Sequence, residues 1–77
     1  SSNEYQTSDL GTAAALLTCG FELIRVDKEN PRRAVFVFSY SGSLQKAVDD
    51  YWSDNLVVNA RKFFENTKSL KSRIYGG

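Results

Sequence analysis

At 77 residues the chain holds one domain, 1–77, with a single core, and its 42% apolar content, ten aromatics included, is too rich for a disordered segment. The single cysteine excludes an internal disulfide or a zinc site built from several cysteines, and fits a reducing cytoplasm. No run approaches the roughly 20 apolar residues of a membrane span and the N-terminus lacks signal-peptide character, so a cytoplasmic protein without a membrane partner is expected.

Residues 1–4 and 76–77 are expected to be disordered. Tyr5–Thr7 reads as a short strand, and a helix over about 8–18 follows, capped by Ser8 or Thr7 with Asp9 at its positive end. Leu10, Ala13, Ala14 and Leu17 give it an apolar stripe and Gly20 stops it. "FELIRV" (21–26) and "RAVFVFSY" (33–40) form an antiparallel hairpin around "DKENPR". With Val26 opposite Arg33, Leu23 and Phe21 face Phe36 and Phe38 on one side, while Ile24 and Glu22 face Val35 and Val37 on the other. "SGS" (41–43) ends the hairpin. Leu44, Ala47, Val48, Tyr51 and Trp52 then mark a second helix. After "SDN" (53–55) comes a long third helix, with Leu56, Ala60, Phe63, Thr67, Leu70 and Ile74 as its seam and Val57 and Phe64 widening the stripe.

The fold class is therefore α+β, in the order β-α-β-β-α-α. The second and third helices should cover the aromatic face of the hairpin. The first is the only element left for Ile24, Val35 and Val37, and should lay Ala13, Ala14 and Leu17 against them. If it joins the other helices instead, those three residues form an exposed interface suited to a homodimer.

Catalytic chemistry finds little support. Histidine, the commonest general base, is absent, and Cys19 has no activating partner nearby and reads as a small buried hydrophobe, so no enzyme, catalytic residue, metal or cofactor is expected. Asp49, Asp50 and Asp54 make a poor magnesium cage, because neighbours on a helix diverge by about 100°. "YSGSL" lacks the spacing and the lysine of a phosphate loop, and the closing Gly-Gly follows a helix where a ubiquitin-like tail needs a strand.

Charge is more informative. The net value is +1, yet residues 56–77 hold five bases against Glu65 alone. Arg61, Lys62, Lys68, Lys71 and Arg73 share the third helix, and Arg32 and Arg33 stand at the hairpin turn with Arg25 and Lys28. Such a surface suits phosphates, but it also suits simple solvation of a helix near its negative end. Tyr40, Tyr51, Trp52 and Tyr75 offer a stacking platform for bases, although Tyr51 and Trp52 at helical spacing also suit a core.

The segments "YQTSDL", "NPRR" and "VNARKF" give the chain a resemblance to a family of small bacterial and phage proteins, a domain of unknown function. The matching positions are Tyr5, Thr7, Ser8, Asp9 and Leu10; Asn30, Pro31, Arg32 and Arg33; and Val58, Asn59, Ala60 and Arg61. The likeness runs over about residues 5–75. It implies a stand-alone cytoplasmic domain and carries over no catalytic residue. Capping, turn formation and a local Arg-to-Asp bond would explain these clusters structurally; a shared binding surface would explain them too.

Two functions follow. One is an accessory nucleic-acid-binding protein in which Arg32, Arg33, Arg61, Lys62, Lys68 and Lys71 contact phosphates. The other is a protein-interaction module, an adaptor or inhibitor, homodimeric or not, that uses Ile24, Val35 and Val37 or the outer helix surface.

Overall fold

A computed structural model describes residues 3–30 and 33–75. The elements are β1 (Glu4–Thr7), α1 (Leu10–Thr18), β2 (Leu23–Asn30), β3 (Arg33–Ser39), α2 (Gly42–Trp52) and α3 (Ala60–Tyr75). This is the expected β-α-β-β-α-α order. The strands form one antiparallel sheet in the order β1-β3-β2, so the first strand pairs with the last and closes over the hairpin. Glu4, inside the stretch expected to be disordered, is the first residue of that pairing, opposite Ser39.

Local chemistry sets the helix ends. Asp9, not Ser8 or Thr7, caps α1: its carboxylate accepts from the Thr12 N–H at 2.8 Å and from the Thr12 hydroxyl at 2.8 Å, while the Asp9 N–H donates to Thr7 Oγ1 at 3.1 Å. Ser41 caps α2 by accepting from the Leu44 N–H. At the far end of α1 the Gly20 N–H reaches the Leu17 carbonyl and the Phe21 N–H the Leu16 carbonyl, with Gly20 at φ 97°. The same pair of bonds closes α2, from Asp54 to Tyr51 and from Asn55 to Asp50, but there an aspartate takes the left-handed place at φ 65°. Both are Schellman closures.

"SDN" therefore terminates α2 rather than starting α3. The third helix begins at Ala60, four residues later than the spacing of Leu56 suggested, and Asn59 caps it by accepting from the Lys62 N–H at 3.0 Å. The β-branched pair Val57-Val58 disfavours a helical start, and a good cap lies just beyond it.

One cluster of buried side chains joins the layers: Ala13, Ala14 and Leu16 from α1, Phe36 and Phe38 from β3, Leu44, Ala47 and Val48 from α2, and Leu70 from α3. All three helices thus lie on the aromatic face of the sheet. Five consecutive residues of α1, Thr12 to Leu16, are buried, which encloses this helix on every side. Its alanines make that enclosure feasible, because short side chains let α2, α3 and the sheet approach closely. The Asn66 amide donates to the Thr18 hydroxyl at 3.0 Å and locks α3 to α1.

The expectation that Ala13, Ala14 and Leu17 cover Ile24, Val35 and Val37 is overturned, because α1 packs chiefly against α3 on the opposite face. The hairpin register differs as well. Leu23 lies opposite Phe38 and Val26 opposite Phe36, with an irregularity at Ile24 that puts Arg25 opposite Val37. The strand "LIRVDKEN" runs on through residues expected in the turn, up to Asn30 opposite Arg33; Pro31 and Arg32 between them lie outside the described residues, as do Ser1, Ser2, Gly76 and Gly77.

Nor, among the described residues, does an apolar patch form on the outer face. Val37 is 0% exposed although no helix covers it. Gln6 and Arg25 flank it in the register, and Arg25 reaches across to Glu4 on β1, with Nη1 3.1 Å from Oε2 and Nη2 3.4 Å from Oε1. Because β3 lies between β1 and β2, this two-pronged pair must cross it on the outer side, shielding Val37. The bond to Glu4 also raises the Arg25 pKa above its ordinary value. Val35 is half-buried and only Ile24 is substantially exposed.

Candidate functional site

Three surfaces compete for a functional role: the outer sheet face, the polar cluster at the start of α1, and the outer face of α3.

The outer sheet face is a weave of polar groups. Besides the Arg25–Glu4 pair, the Arg33 Nε donates to Ser8 Oγ at 3.0 Å. On the helix side of the sheet, Lys28 donates its ammonium to the Arg73 carbonyl at 2.9 Å, at the negative end of α3. So Arg25, Lys28 and Arg33 each hold a bond within the chain. Arg32 lies outside the described residues.

At the start of α1, Tyr51 packs its hydroxyl against Gly11, where a side chain would collide with it. Burial raises the Tyr51 pKa and the nearby Asp9 carboxylate adds to the rise. Burial likewise raises that of Tyr5, with Asp9 and Asp49 adding and a bond to Thr7 opposing. Both phenols therefore stay protonated further above neutrality than usual. Cys19 is exposed rather than buried, at the C-terminal cap of α1, and partial burial of its thiol raises its pKa too.

Several motif residues take structural roles here and at the helix caps. Asp9 and Asn59 cap, Thr7 accepts from the Asp9 N–H, and the Arg33–Ser8 bond joins the first motif to the second. Arg61 sits 3.6 Å from Glu65, one turn along, so arginine partners are a serine and a glutamate where an aspartate was expected. Among the described residues no group of three histidine, cysteine or acidic side chains suits a metal ion. Asp49 accepts from Gln45 and Asp50 pairs with Lys46, so the two point to different partners.

The outer face of α3 has a different character. Leu70 is buried and Phe63, Thr67 and Ile74 are half-buried, which fixes the inward side of the helix. At about 100° per residue, Lys71, Phe64, Tyr75, Lys68 and Arg61 fall, in that order, within an outward arc of roughly 80°. Phe64 is 62% exposed and Tyr75 82%, and the Lys68 ammonium stands 5.5 Å from the centre of the Phe64 ring. Lys62 is exposed further round, and among the described residues Lys62, Lys68 and Lys71 make no ion pair.

Phe64 was expected to widen the inward stripe. It faces out because the helix axis turns its 63-67-70-74 row, one step round, toward α1. The wheel alone would have revealed its alignment with Lys68, Lys71 and Tyr75. The four-ring platform does not assemble: Tyr51 is half-buried edge-on to Trp52 at 5.3 Å, and Tyr40 lies beyond the other end of α2.

No helix among the described residues is long and apolar enough to cross a membrane. No curated protein and no solved structure matches the chain. A family model does match residues 2–76, nearly the whole length, so the chain belongs to the DUF5659 family, a domain of unknown function.

Proposed function

We propose that this domain is a non-enzymatic nucleic-acid-binding module of a bacterial or phage genome, acting in the cytoplasm through the outer face of α3. The observation that carries the reading is the outward arc of Arg61, Lys68 and Lys71 beside exposed rings, on a helix whose only acid is Glu65. Cations spaced along one helix face match the repeating charge of a phosphate backbone. The hairpin contributes less, since Arg25, Lys28 and Arg33 are already bonded to Glu4, Arg73 and Ser8, whereas Lys68 and Lys71 make no ion pair among the described residues and Arg61 meets only the exposed Glu65 at 3.6 Å. A non-catalytic role agrees with two tyrosines and a thiol whose pKa values are all raised, away from the neutral range a general base or thiolate nucleophile needs.

The test is fluorescence anisotropy with labelled mixed-sequence oligonucleotides over a range of salt. Three phosphate contacts would give a slope of log K against log salt of roughly −2 to −3. Changing Arg61, Lys68 and Lys71 together to alanine should flatten the slope toward zero, whereas Arg32→Ala with Arg33→Ala should change it little. No affinity at low salt, or a slope unmoved by the triple change, would end the proposal.

A second reading, a protein-interaction module, draws on Trp52, 63% exposed, and Val57, 91% exposed, at either end of the connection between α2 and α3. Association through such apolar residues would be nearly indifferent to salt.

A further inference from the structure

We infer that the strand taken by this surface is single, with unpaired bases stacked on Phe64 and Tyr75; the inference rests on the nucleic-acid reading above. Phosphate contact alone needs cations and gives no reason to leave two large rings in water. Phe64 and Tyr75 are both exposed on the arc that holds Arg61, Lys68 and Lys71. In the free protein Lys68 rests its charge near the Phe64 ring, at 5.5 Å, a weak contact for an exposed pair. A nucleotide offers a better partner to each: its base has a flat face for the ring, and its phosphate is an anion for the ammonium. Lys71 and Tyr75 share the four-residue spacing in the reverse order, so the arc carries a second ring and cation one helical turn apart.

Geometry bounds the ligand. Eleven residues separate Phe64 from Tyr75, or roughly 16 Å along the helix axis at about 1.5 Å per residue. At about 3.4 Å per nucleotide of a stacked strand, that distance corresponds to roughly five nucleotides. A duplex turns its bases inward and presents only backbone and groove edges, so neither ring finds a face to stack on. A single strand exposes both phosphates and faces, and stacking is tolerant of sequence because every base has a π-face.

The experiment uses the full chain against oligothymidylates of about three, six and twelve nucleotides and a mixed duplex, with anisotropy as the readout. The two longer strands should bind more tightly than the duplex, and the shortest should bind weakly. Phe64→Ala and Tyr75→Ala should each weaken single-strand binding about ten-fold and duplex binding less than about two-fold. Both residues are exposed, so circular dichroism of the variants should match the parent. Equal affinity for duplex and single strand, with neither ring mattering, would overturn this inference and leave phosphate binding intact. Failure of every oligonucleotide at low salt would overturn both readings, as would binding only to vesicles of anionic phospholipid.

Discussion

Replacing Asp54 by glycine should make the protein more stable, although Asp54 touches no part of the core. It occupies the left-handed position of the closure after α2, at φ 65°, the place that Gly20 holds after α1 at φ 97°. Left-handed backbone costs an ordinary L-residue roughly 1–2 kcal/mol, somewhat less for aspartate, whose short side chain tolerates it. The carboxylate also stands at the negative end of α2, unfavourable by about 0.3–1 kcal/mol. Against these gains, glycine gives the unfolded chain extra freedom worth roughly 0.5–1 kcal/mol. The net is a gain of about 0.5–1 kcal/mol, which in a domain of this size raises Tm by roughly 2–8 °C.

Thermal melts followed by circular dichroism near neutral pH would measure it. Asp54→Asn separates the contributions, since it removes the charge while retaining a side chain that accepts the left-handed region; it should recover about 0.3–1 kcal/mol. Gly20→Ala is the reverse experiment and should cost roughly 1–2 kcal/mol from backbone strain, as open space surrounds the new methyl group. An Asp54→Gly variant that melts below the parent would refute the reasoning for this closure.

Other expectations concern the core, the outer face and the pH response. Leu70→Ala should cost about 2–5 kcal/mol in urea unfolding, because Leu70 is the one fully buried side chain among the described residues of α3. Val37→Ala should cost roughly 1–3 kcal/mol and Ile24→Ala less than about 0.5 kcal/mol, and light scattering should return a mass near 8.6 kDa, since the outer face lacks the patch that would demand a second copy. Tyr5 and Tyr51 have raised pKa values when folded, so the stability tied to their neutral forms is complete below about pH 10 and is lost as pH climbs through the folded values. Changing both to phenylalanine should flatten the fall in Tm at alkaline pH; an identical fall would show that other groups cause it.

The element order and the inward face of the hairpin were legible because alternation and helical spacing are local properties. Leu23, Phe36 and Phe38 could be assigned to one side without knowing what lay above them. Register was not legible. It depends on the irregularity at Ile24 and on β2 continuing through "DKEN", whose charged residues look like a turn but suit an exposed sheet edge. The position of α1 was misjudged for a related reason. A stripe has no meaning on a helix that is buried all round, and the outer face needs no helical cover where an arginine–glutamate pair supplies one. At the candidate site, the basic residues were found from charge alone. The alignment of Phe64 and Tyr75 with them is implicit in the helical wheel, but the apolar stripe draws Phe64 to the core until the neighbours of α3 fix which side faces in.

The order in which these segments leave the ribosome runs against the order in which they are needed. The strand β1 can pair only with β3, made some thirty residues later, and α1, the most enclosed helix, waits for Leu70 near the end of α3. Contacts between distant parts of a chain are slow to form because loop closure must precede any gain from them. The hairpin of β2 and β3, whose partners are close in sequence, is the natural first structure, leaving "LGTAAALL" with its apolar surface uncovered until α3 has been made. Emergence of α3, rather than stepwise folding of the earlier elements, should therefore be the moment at which this domain becomes stable, and lesions in α3 should appear in cells as aggregation or loss of protein before they appear as loss of binding.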